Sequence, residues 1–243
     1  RTPGSWWRMA ESDVGPMRCP GAPDNPERTA MTKGSNVAQT MRRELCDALL
    51  SMGPDAPTLC EGWTTLDLAT HLIVRETRPD AAIGILLKPF AGYADRVQKK
   101  VGRRGWTSLV DQIRSGPPIA SPMRLRPVDD LTNTLEYFVH CEDIRRGAPG
   151  WQPRPLTTVE DDALYTALRR GARLMTRKAP AGLVLAAPGR PVIVAHRSTP
   201  EVTVSGPIGE LVLFVYGRQA ASRVEFDGPE SAVEAIRTAK FGV

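Results

Sequence analysis

The sequence is 243 residues long and lacks any run of about 18 consecutive apolar residues, the minimum for a helix that spans a membrane. We therefore predict no membrane partner. The first 33 residues also lack hydrophobic periodicity and the apolar core of a secretory signal, and they are rich in proline, glycine and arginine. We expect residues 1–33 to be disordered, or to be an upstream extension before a natural start at Met31.

Cysteine pairs at the spacing of a zinc ribbon or a redox motif are missing. Cys19, Cys46, Cys60 and Cys141 form no Cys-x-x-Cys pair. A chain of this length can bury a core large enough to fold without disulfides. We therefore predict reduced thiols and a cytoplasmic location.

Aromatic residues make up only 6% of the chain, and they do not alternate with basic residues in the way that binds single-stranded nucleic acids. The net charge of +5 and the isoelectric point near 9.2 nevertheless raise the question of a nucleic-acid partner. The basic pairs are scattered, with acids beside them: Arg42–Arg43, Arg103–Arg104, Arg145–Arg146 and Arg169–Arg170. We therefore predict that the protein does not bind nucleic acid.

The hydrophobic pattern of the first half has the period of α-helices. Apolar residues recur at helical spacing from Val37 until Gly53, where the pattern ends. Thr64, followed three residues later by Asp67, predicts a capping box at the start of a second helix. That helix is expected to end before Pro79, because the residue before a proline disfavours helical geometry.

Two further helices are expected in the first half, one over residues 106–115 and one over about 129–146, each followed by a glycine. The segment 88–105 is a longer link that could carry a turn of helix. About four helices with modest connections are typical of a bundle. We therefore predict an N-terminal helical bundle over residues 34–148.

The pattern changes after the proline- and glycine-rich segment 147–155. A helix is predicted over about 158–178, followed by four short β-like runs that glycine and proline interrupt. A buried helix is predicted in the segment 206–218, and a last helix after Pro229. The second half, residues 149–243, therefore predicts a small α+β domain, and the fold class of the whole chain is α+β.

The segment LEYFVHCEDIRRG (135–147) places acidic and imidazole side chains where a helix should be buried. In a helix, Glu136, His140 and Asp143 form one stripe. Apolar and aromatic residues flank this stripe on both sides: Leu131, Leu135, Phe138 and Val139 on one, Tyr137, Cys141 and Ile144 on the other. Surface helices keep their charges opposite the apolar arc. We therefore predict that the stripe faces the interior.

Two donors one turn apart on a helix, with a third donor from another helix, are a common way to bind a metal ion. The chain has three histidines. His71 lies among leucines inside the second predicted helix, whereas His196 ends a strand. Because facing helices of a bundle converge, the geometry favours His71 as the third donor beside Glu136 and His140. Such a set leaves a coordination position open, as catalytic zinc sites do.

Simpler explanations compete with a metal site. A Glu-x-x-x-His pair is more often a local hydrogen bond or a pair of surface neighbours. Asp67 is better explained as the capping acid, and Asp143 either orients His140 or faces solvent. Cys141 is expected to be a buried apolar filler, and His196 a loop histidine without a special role.

The segments LCEGWTTLDLATHL (59–72) and LEYFVHCEDIRR (135–146) resemble the metal-binding bundle of the mycothiol-dependent maleylpyruvate isomerases, a family of the DinB-like superfamily. The shared pattern is a Trp, an Asp-Leu-x-x-His helix and a Glu-x-x-x-His helix followed by an Asp: here Trp63, Asp67, His71, Glu136, His140 and Asp143. The resemblance implies a DinB-like four-helix bundle. It also implies that His71, Glu136 and His140 bind a divalent metal, with zinc as the expected ion.

The second half resembles the C-terminal domain of the same family, in which a Gly-Glu-Leu-x-Leu helix ends in Gly-Arg. This chain has GELVLFVYGR (209–218), so the resemblance implies that Arg218 helps to build the active site. A cation that satisfies the C-terminal end of a helix is the other explanation of Arg218. The phrases GPDAPTLCEGWTT and RETRPDA are closer to an actinobacterial subgroup without a settled reaction.

The resemblance implies an enzyme in which a metal activates a low-molecular-weight thiol, mycothiol, for cis–trans isomerisation or for S-transfer to a small electrophile. Arg218 would then hold a carboxylate of the substrate or the thiol. One alternative is a non-catalytic metal-binding or sensor module. Another is a metal-dependent hydrolase, which would need an additional general base. Donor type favours zinc only mildly, and a monomer or a dimer fits the sequence equally well.

Overall fold

The computed structural model describes residues 37–78, 91–117 and 133–241. Residues Ser35–Val243 form one compact unit. The segment predicted to be disordered, residues 1–33, and the predicted first turn of the fourth helix, residues 129–132, lie outside the described residues. The domain boundary near residue 148 stays a prediction.

The first half of the described chain is helical, as the periodicity predicts. Its helices are α1 (Val37–Met52), α2 (Thr65–Thr77), α3 (Ala91–Val101), α4 (Trp106–Ser115) and α5 (Thr134–Arg146). Helix α2 begins with the predicted capping box, in which Thr64 and Asp67 each bond the other's backbone N–H. Helix α3 occupies the segment that was predicted to be a longer link. None of the described helices is long and apolar enough to cross a membrane.

Helix α1 is the centre of this half. It packs along α5 and α4 and also contacts α2, while α2 packs on α3 and α4. Met41, Leu45 and Leu49 of α1 are almost completely buried, at the spacing of one helical face. Burial of this face holds α2 and α5 in place, and these two helices carry the predicted metal ligands.

The second half combines three helices with a small sheet, which confirms the α+β class. Its elements are α6 (Thr158–Met175), β1 (Gly182–Ala186), β2 (Ile193–His196), β3 (Glu201–Ser205), α7 (Ile208–Val215), β4 (Glu225–Asp227) and α8 (Glu230–Thr238). The strand order is β2-β1-β3-β4. Strand β1 pairs antiparallel with β2 and parallel with β3, and β4 is antiparallel to β3. The four predicted strands and the buried helix are therefore confirmed.

Helix α7 brings the second half close to α5. Every residue of α7 is buried, and it packs against both α6 and α5. A Cβ atom at Gly209 would lie 2.9 Å from Cζ of Phe138 on α5, so a larger residue there would force the two helices apart. This close approach positions the end of α7, with Arg218 behind it, beside the predicted metal ligands.

The loop between α1 and α2 also lies against α5. A Cβ atom at Gly147 would lie 2.3 Å from the carbonyl oxygen of Pro57, a distance that no side chain tolerates. The backbone N–H of Leu59 donates to the carbonyl oxygen of Asp143 at 3.0 Å. Glycine at the end of α5 therefore lets the loop approach, and the loop carries Cys60 and Trp63 to the same place.

Candidate metal centre

Helices α2 and α5 bring His71, Glu136 and His140 together. Oε1 of Glu136 lies 3.3 Å from Nε2 of His140 and 3.9 Å from Nε2 of His71. The two imidazole rings meet edge to face, with 5.5 Å between their centroids. One ligand atom from each residue lies within 4.8 Å of the other two. Residues that are 65 positions apart in the chain therefore point their donors at a common centre.

The spacing of these donors fits a divalent ion. Ligand bonds of 2.0–2.2 Å in a tetrahedral shell place neighbouring donors about 3.4 Å apart. The observed separations of 3.3 and 3.9 Å lie close to that value. The stripe faces the interior, as its flanking residues predict, since His140 and Asp143 are buried and Glu136 is 19% exposed. Two imidazoles and one carboxylate could hold a metal here and leave one position open.

The charges of the three residues are strongly perturbed. Burial lowers the pKa of His71, which favours the neutral imidazole that a metal ligand requires. Burial opposes ionisation of Glu136, but hydrogen bonds to His140 and His71 outweigh it and hold the pKa of Glu136 well below its usual range. Burial likewise disfavours the charged form of His140, yet hydrogen bonds to Asp143, Cys60 and Glu136 outweigh burial and raise the pKa of His140 well above its usual value.

Asp143 holds His140 from the other side. Nδ1 of His140 lies 3.0 Å from Oδ2 of Asp143, whose side chain is fully buried. A carboxylate acceptor at Nδ1 keeps a proton on that nitrogen, so Nε2, which faces Glu136 and His71, is the nitrogen that would coordinate an ion after losing its own proton. Asp143 therefore orients His140 and does not face solvent.

Arg218 forms a two-pronged ion pair with Asp143. Its Nε and Nη2 atoms donate to the two carboxylate oxygens at 2.8 and 2.6 Å. Burial disfavours ionised Asp143, but His140 and Arg218 outweigh it and lower the pKa of Asp143 to about 2. Nη1 of Arg218 donates to the carbonyl oxygen of Tyr216 at 2.6 Å, just beyond α7. Arg218 thus reaches the metal ligands and also satisfies the end of its helix.

Cys60 completes this side of the site, although the sequence analysis gave it no role. Its thiol donates to Oδ2 of Asp143 at 3.2 Å, and Nη2 of Arg218 donates to its sulfur at 3.4 Å. Cys60, His140 and Asp143 form a second group whose donor atoms lie within 4.8 Å of one another. The Arg218 guanidinium already holds both oxygens of Asp143, so a second cation there would be repelled.

Arg75 is another residue that the sequence analysis missed. It lies one turn after His71 on α2, and its Nε atom is 3.5 Å from Oε1 of Glu136. Its Nη1 atom donates to Oδ1 of Asn133, a buried residue just before α5, at 2.6 Å. The spacing of four between His71 and Arg75 was the signal available in the sequence, because it places both on one face of a helix.

Two aromatic residues border the donors. The ring of Trp63 lies 5.1 Å from the ring of His71, centroid to centroid. Burial, followed by the charge of Glu136, raises the pKa of Tyr216, so its phenol stays protonated and can donate a hydrogen bond. Neither residue belongs to the groups of candidate donors formed by the described residues.

His196, Cys46 and Cys141 stay outside both donor groups formed by the described residues, and Cys19 lies outside the described part of the chain. His196 is partly buried at the end of β2. Cys141 is buried on α5, and burial raises the pKa of its thiol to about 12, in agreement with a filler of the core. Asp67 is the exposed capping acid of α2.

The fold and the donor set define a class: an α+β protein with a metal-type site between two helices, bordered by its C-terminal half. No protein-family model and no curated protein sequence matches the chain. A histidine-to-alanine mutant of the mycothiol-dependent maleylpyruvate isomerase is similar in structure, with a TM-score of 0.52 and 15% identity over 79% of this chain and 90% of that one. The crystal structure of the mycothiol-dependent maleylpyruvate isomerase aligns over the same shares at 16% identity, with a TM-score of 0.47. The first likeness shows that the chain has the fold of that isomerase.

Proposed function

We propose that the protein binds one divalent metal ion, zinc by donor preference, through His71, Glu136 and His140, and that it is an enzyme acting on a low-molecular-weight thiol. The convergence of two imidazoles and one carboxylate on one point carries this proposal. Three protein ligands are typical of catalytic zinc sites, whereas structural sites use four.

A divalent ion at this point would lower the pKa of a coordinated thiol, which makes the thiol nucleophilic at neutral pH. The residues around the proposed ion set the protonation states that metal binding requires. Asp143 holds a proton of His140 on Nδ1, so that the proton displaced by a coordinating ion would be the one on Nε2. Burial keeps His71 neutral, and the ionised Glu136 supplies negative charge.

Arg218 belongs to the proposed catalytic site. Its guanidinium lies beside the sulfur of Cys60 and the carboxylate of Asp143. Because it comes from the second half of the chain, it ties that half to the metal ligands of α5. Its charge neutralises Asp143, so that Asp143 remains an acceptor for His140 without adding net negative charge.

Either of two reactions fits a thiol nucleophile. In S-transfer, a sulfur–carbon bond forms, the leaving group departs with its electron pair, and the thiol proton passes to solvent. In isomerisation, the sulfur adds to one carbon of a cis double bond, the resulting single bond rotates, and the sulfur–carbon bond breaks again. Neither reaction needs an oxidant or a reductant.

The structural neighbour is described as mycothiol-dependent, which supports mycothiol as the thiol. We propose mycothiol as the co-substrate and a small electrophile as the second substrate. A cytoplasmic location, in which such thiols stay reduced, belongs to the same proposal.

Hydrolysis is less well supported, because it needs a free general base beside the ion. Within the described part of the chain, Glu136 is a proposed ligand, and both oxygens of Asp143 already accept hydrogen bonds from Arg218. A non-catalytic metal-binding module would hold the same ion. The experiment below must therefore distinguish such a module from an enzyme.

The proposal is tested by metal content and thiol chemistry together. The chain, purified without a histidine tag, is expected to contain about one ion per molecule by elemental mass spectrometry. Metal-loaded protein is then assayed for addition of mycothiol to 1-chloro-2,4-dinitrobenzene and for mycothiol-dependent conversion of maleate to fumarate. We expect acceleration of at least one of these reactions above the rate without protein.

Glu136→Gln is the matched control, since it keeps the size of the side chain and removes the charge of one ligand. It is expected to lose both the ion and the activity while retaining its circular dichroism. A wild-type protein that binds the ion without accelerating either reaction would support the non-catalytic module. A wild-type protein that holds no ion after reconstitution would refute the metal site itself.

A further inference from the structure

The arginine that the resemblance assigns to substrate binding has little capacity left for a substrate. Three nitrogens of Arg218 already donate: two to the carboxylate of Asp143, and one to the carbonyl oxygen of Tyr216. The ion pair with Asp143 is two-pronged, the arrangement in which an arginine would otherwise grip a substrate carboxylate. The internal carboxylate therefore occupies the position that a substrate anion would need.

Arg75 differs in this respect. Its Nη1 atom donates to Asn133, and its Nε atom faces Glu136 at 3.5 Å. Its Nη2 atom makes no hydrogen bond or ion pair with any residue that the structure describes. The side chain is 11% exposed and lies against the proposed ligands. A partly buried guanidinium with a spare donor is the type of group that binds an anion.

With the proposed ion bound to Glu136, no other carboxylate of the residues that the structure describes pairs with Arg75. Arg218 and Asp143 neutralise each other. The Glu136 carboxylate, which is the anion nearest to Arg75, would as a metal ligand offset one of the two charges of a divalent ion. The second charge of the ion then remains together with the charge of Arg75. A thiolate would balance the remaining charge of the ion, and a further negative group on the substrate would balance the charge of Arg75.

We propose that Arg75, and not Arg218, holds a negatively charged group of the substrate next to the metal site. This inference rests on the proposed function and adds a specificity-determining residue to it. Asn133 accepts a hydrogen bond from Nη1 of Arg75 and thereby fixes the guanidinium plane. The Arg75 side chain is therefore ordered before the substrate binds, which lowers the entropy cost of binding.

The test uses two thiols of equal chain length, 3-mercaptopropionate and 3-mercaptopropan-1-ol, which differ in one carboxylate. Their dissociation constants are measured by titration calorimetry on metal-loaded full-length protein near neutral pH. In the wild type, the carboxylate thiol is expected to bind about 10-fold tighter or more, the usual effect of a charge-assisted hydrogen bond. Arg75→Gln is expected to abolish this preference and to change the affinity for the alcohol less than about 2-fold.

Arg78→Gln is the matched control variant. It removes the same charge three residues later on the chain, where the guanidinium bonds the hydroxyl of Tyr93 at an exposed position. It is expected to keep the wild-type preference. Equal effects of Arg75→Gln and Arg78→Gln would mean that only long-range charge matters, and would overturn the proposal.

The other outcomes separate this inference from the proposed function. If both thiols bind and Arg75→Gln keeps the preference, the carboxylate chelates the ion, and only the role of Arg75 is refuted. If neither thiol binds the metal-loaded wild type, the proposed function fails, and the inference fails with it. Should Arg75→Gln not retain metal, Arg75→Lys keeps the charge without the planar fork, and an undiminished preference in that variant would also refute the proposal.

Discussion

Helix α5 carries two buried charged clusters, and they differ in how completely their groups are paired. The first is the metal-type cluster described above, with Glu136 and His140. The second consists of Glu142, Arg146 and Glu210. Nε of Arg146 donates to Glu142 at 2.7 Å, and its Nη2 and Nη1 atoms donate to Glu210 at 2.7 and 3.0 Å. Nη1 also donates to the carbonyl oxygen of Ala221 at 2.6 Å.

Both clusters join α5 to the second half of the chain. Comparing them therefore shows the effect of how their buried charges are paired. In the second cluster each guanidinium nitrogen has an acceptor, and the ring of Trp151 lies 4.3 Å below the guanidinium carbon. In the first, His71 and Glu136 stand 3.9 Å apart and Arg75 keeps a spare donor. A buried guanidinium whose nitrogens are all paired serves the fold, whereas donors that point at a shared centre without touching indicate a ligand.

The largest expected effect is on the second cluster. Arg146→Met keeps the length of the side chain but leaves Glu210 and Oε2 of Glu142 buried without the guanidinium that pairs them. Removing one partner of a buried ion pair costs about 3–5 kcal/mol of unfolding free energy. Urea denaturation of the metal-free protein measures this loss.

Arg145→Met is the control for that experiment. Arg145 is the neighbouring residue of α5, and its side chain is 40% exposed while its Nε lies 3.4 Å from Glu142. An exposed pair of this kind contributes about 1 kcal/mol or less. Equal losses of unfolding free energy in the two variants would show that the buried ion pairs of Arg146 contribute no more than the exposed pair of Arg145.

The metal-type cluster is expected to respond in the opposite way. His71→Ala should reduce metal affinity by more than about 100-fold, since even residues that only orient a ligand change affinity 10- to 100-fold. Metal-free His71→Ala should lose only about 1 kcal/mol of stability, because the imidazole has no saturated network to break. Competition with a chelator and urea denaturation give the two values, and a stability loss as large as that of Arg146→Met would contradict the comparison.

Acid should weaken the metal-type cluster through Asp143. Its pKa is about 2 in the folded protein and about 3.9 when unfolded. A lowered folded pKa contributes stability that is complete above the unfolded pKa and is lost as the pH falls through the folded one. The contribution is about 2 kcal/mol, present above about pH 4 and absent near pH 2.

Denaturation of metal-free wild type and Asp143→Asn at several pH values checks this window. The difference between them should be constant near pH 5 and shrink toward pH 2. His140 does not interfere there, because its pKa is raised and its contribution is lost only as the pH rises through the folded value. A difference that stays constant down to pH 2 would exclude ionised Asp143 as the stabilising group.

The smallest effect is expected at Cys60. Cys60→Ser retains a donor toward Asp143, so stability should change by less than about 1 kcal/mol. Metal content should stay at the wild-type value, because the Arg218 guanidinium excludes a cation from the group of Cys60, His140 and Asp143. Elemental mass spectrometry of the variant decides between the two donor groups. Loss of the ion would show that the metal binds at the group of Cys60, His140 and Asp143.

The second half shows how far local signals extend. Glycine and proline bounded the four short β-like runs closely enough to predict each strand, and the largely apolar segment before Arg218 predicted the buried helix α7. The order β2-β1-β3-β4 was not predictable, because the parallel pairing of β1 with β3 depends on contacts across intervening residues. Helix α3, of which only a turn was anticipated, extends over Ala91–Val101. Its apolar residues recur at helical spacing, so the signal for a full helix was available in the sequence.

The candidate site divides in the same way. The inward stripe of Glu136, His140 and Asp143 was predictable, because a helix repeats its faces every three to four residues. The pairing of Asp143 with Arg218, 75 residues away, was not, because nothing local to either residue names the other. Cys60 was missed for the same reason, whereas Arg75 had a local signal in its spacing of four from His71.

The sequence by itself determined the helices, the strands, their caps and the residues that could act as metal donors, since these depend on periodicity and on neighbours within one turn. Only the tertiary structure decided which of these charged groups are fully paired and which are left with free donors. That decision depends on the close approaches of Gly147 to Pro57 and of Gly209 to Phe138. These contacts place the loop of Cys60 and the end of α7 against α5, where both oxygens of Asp143 pair with Arg218, whereas Arg75 faces the candidate ligand Glu136.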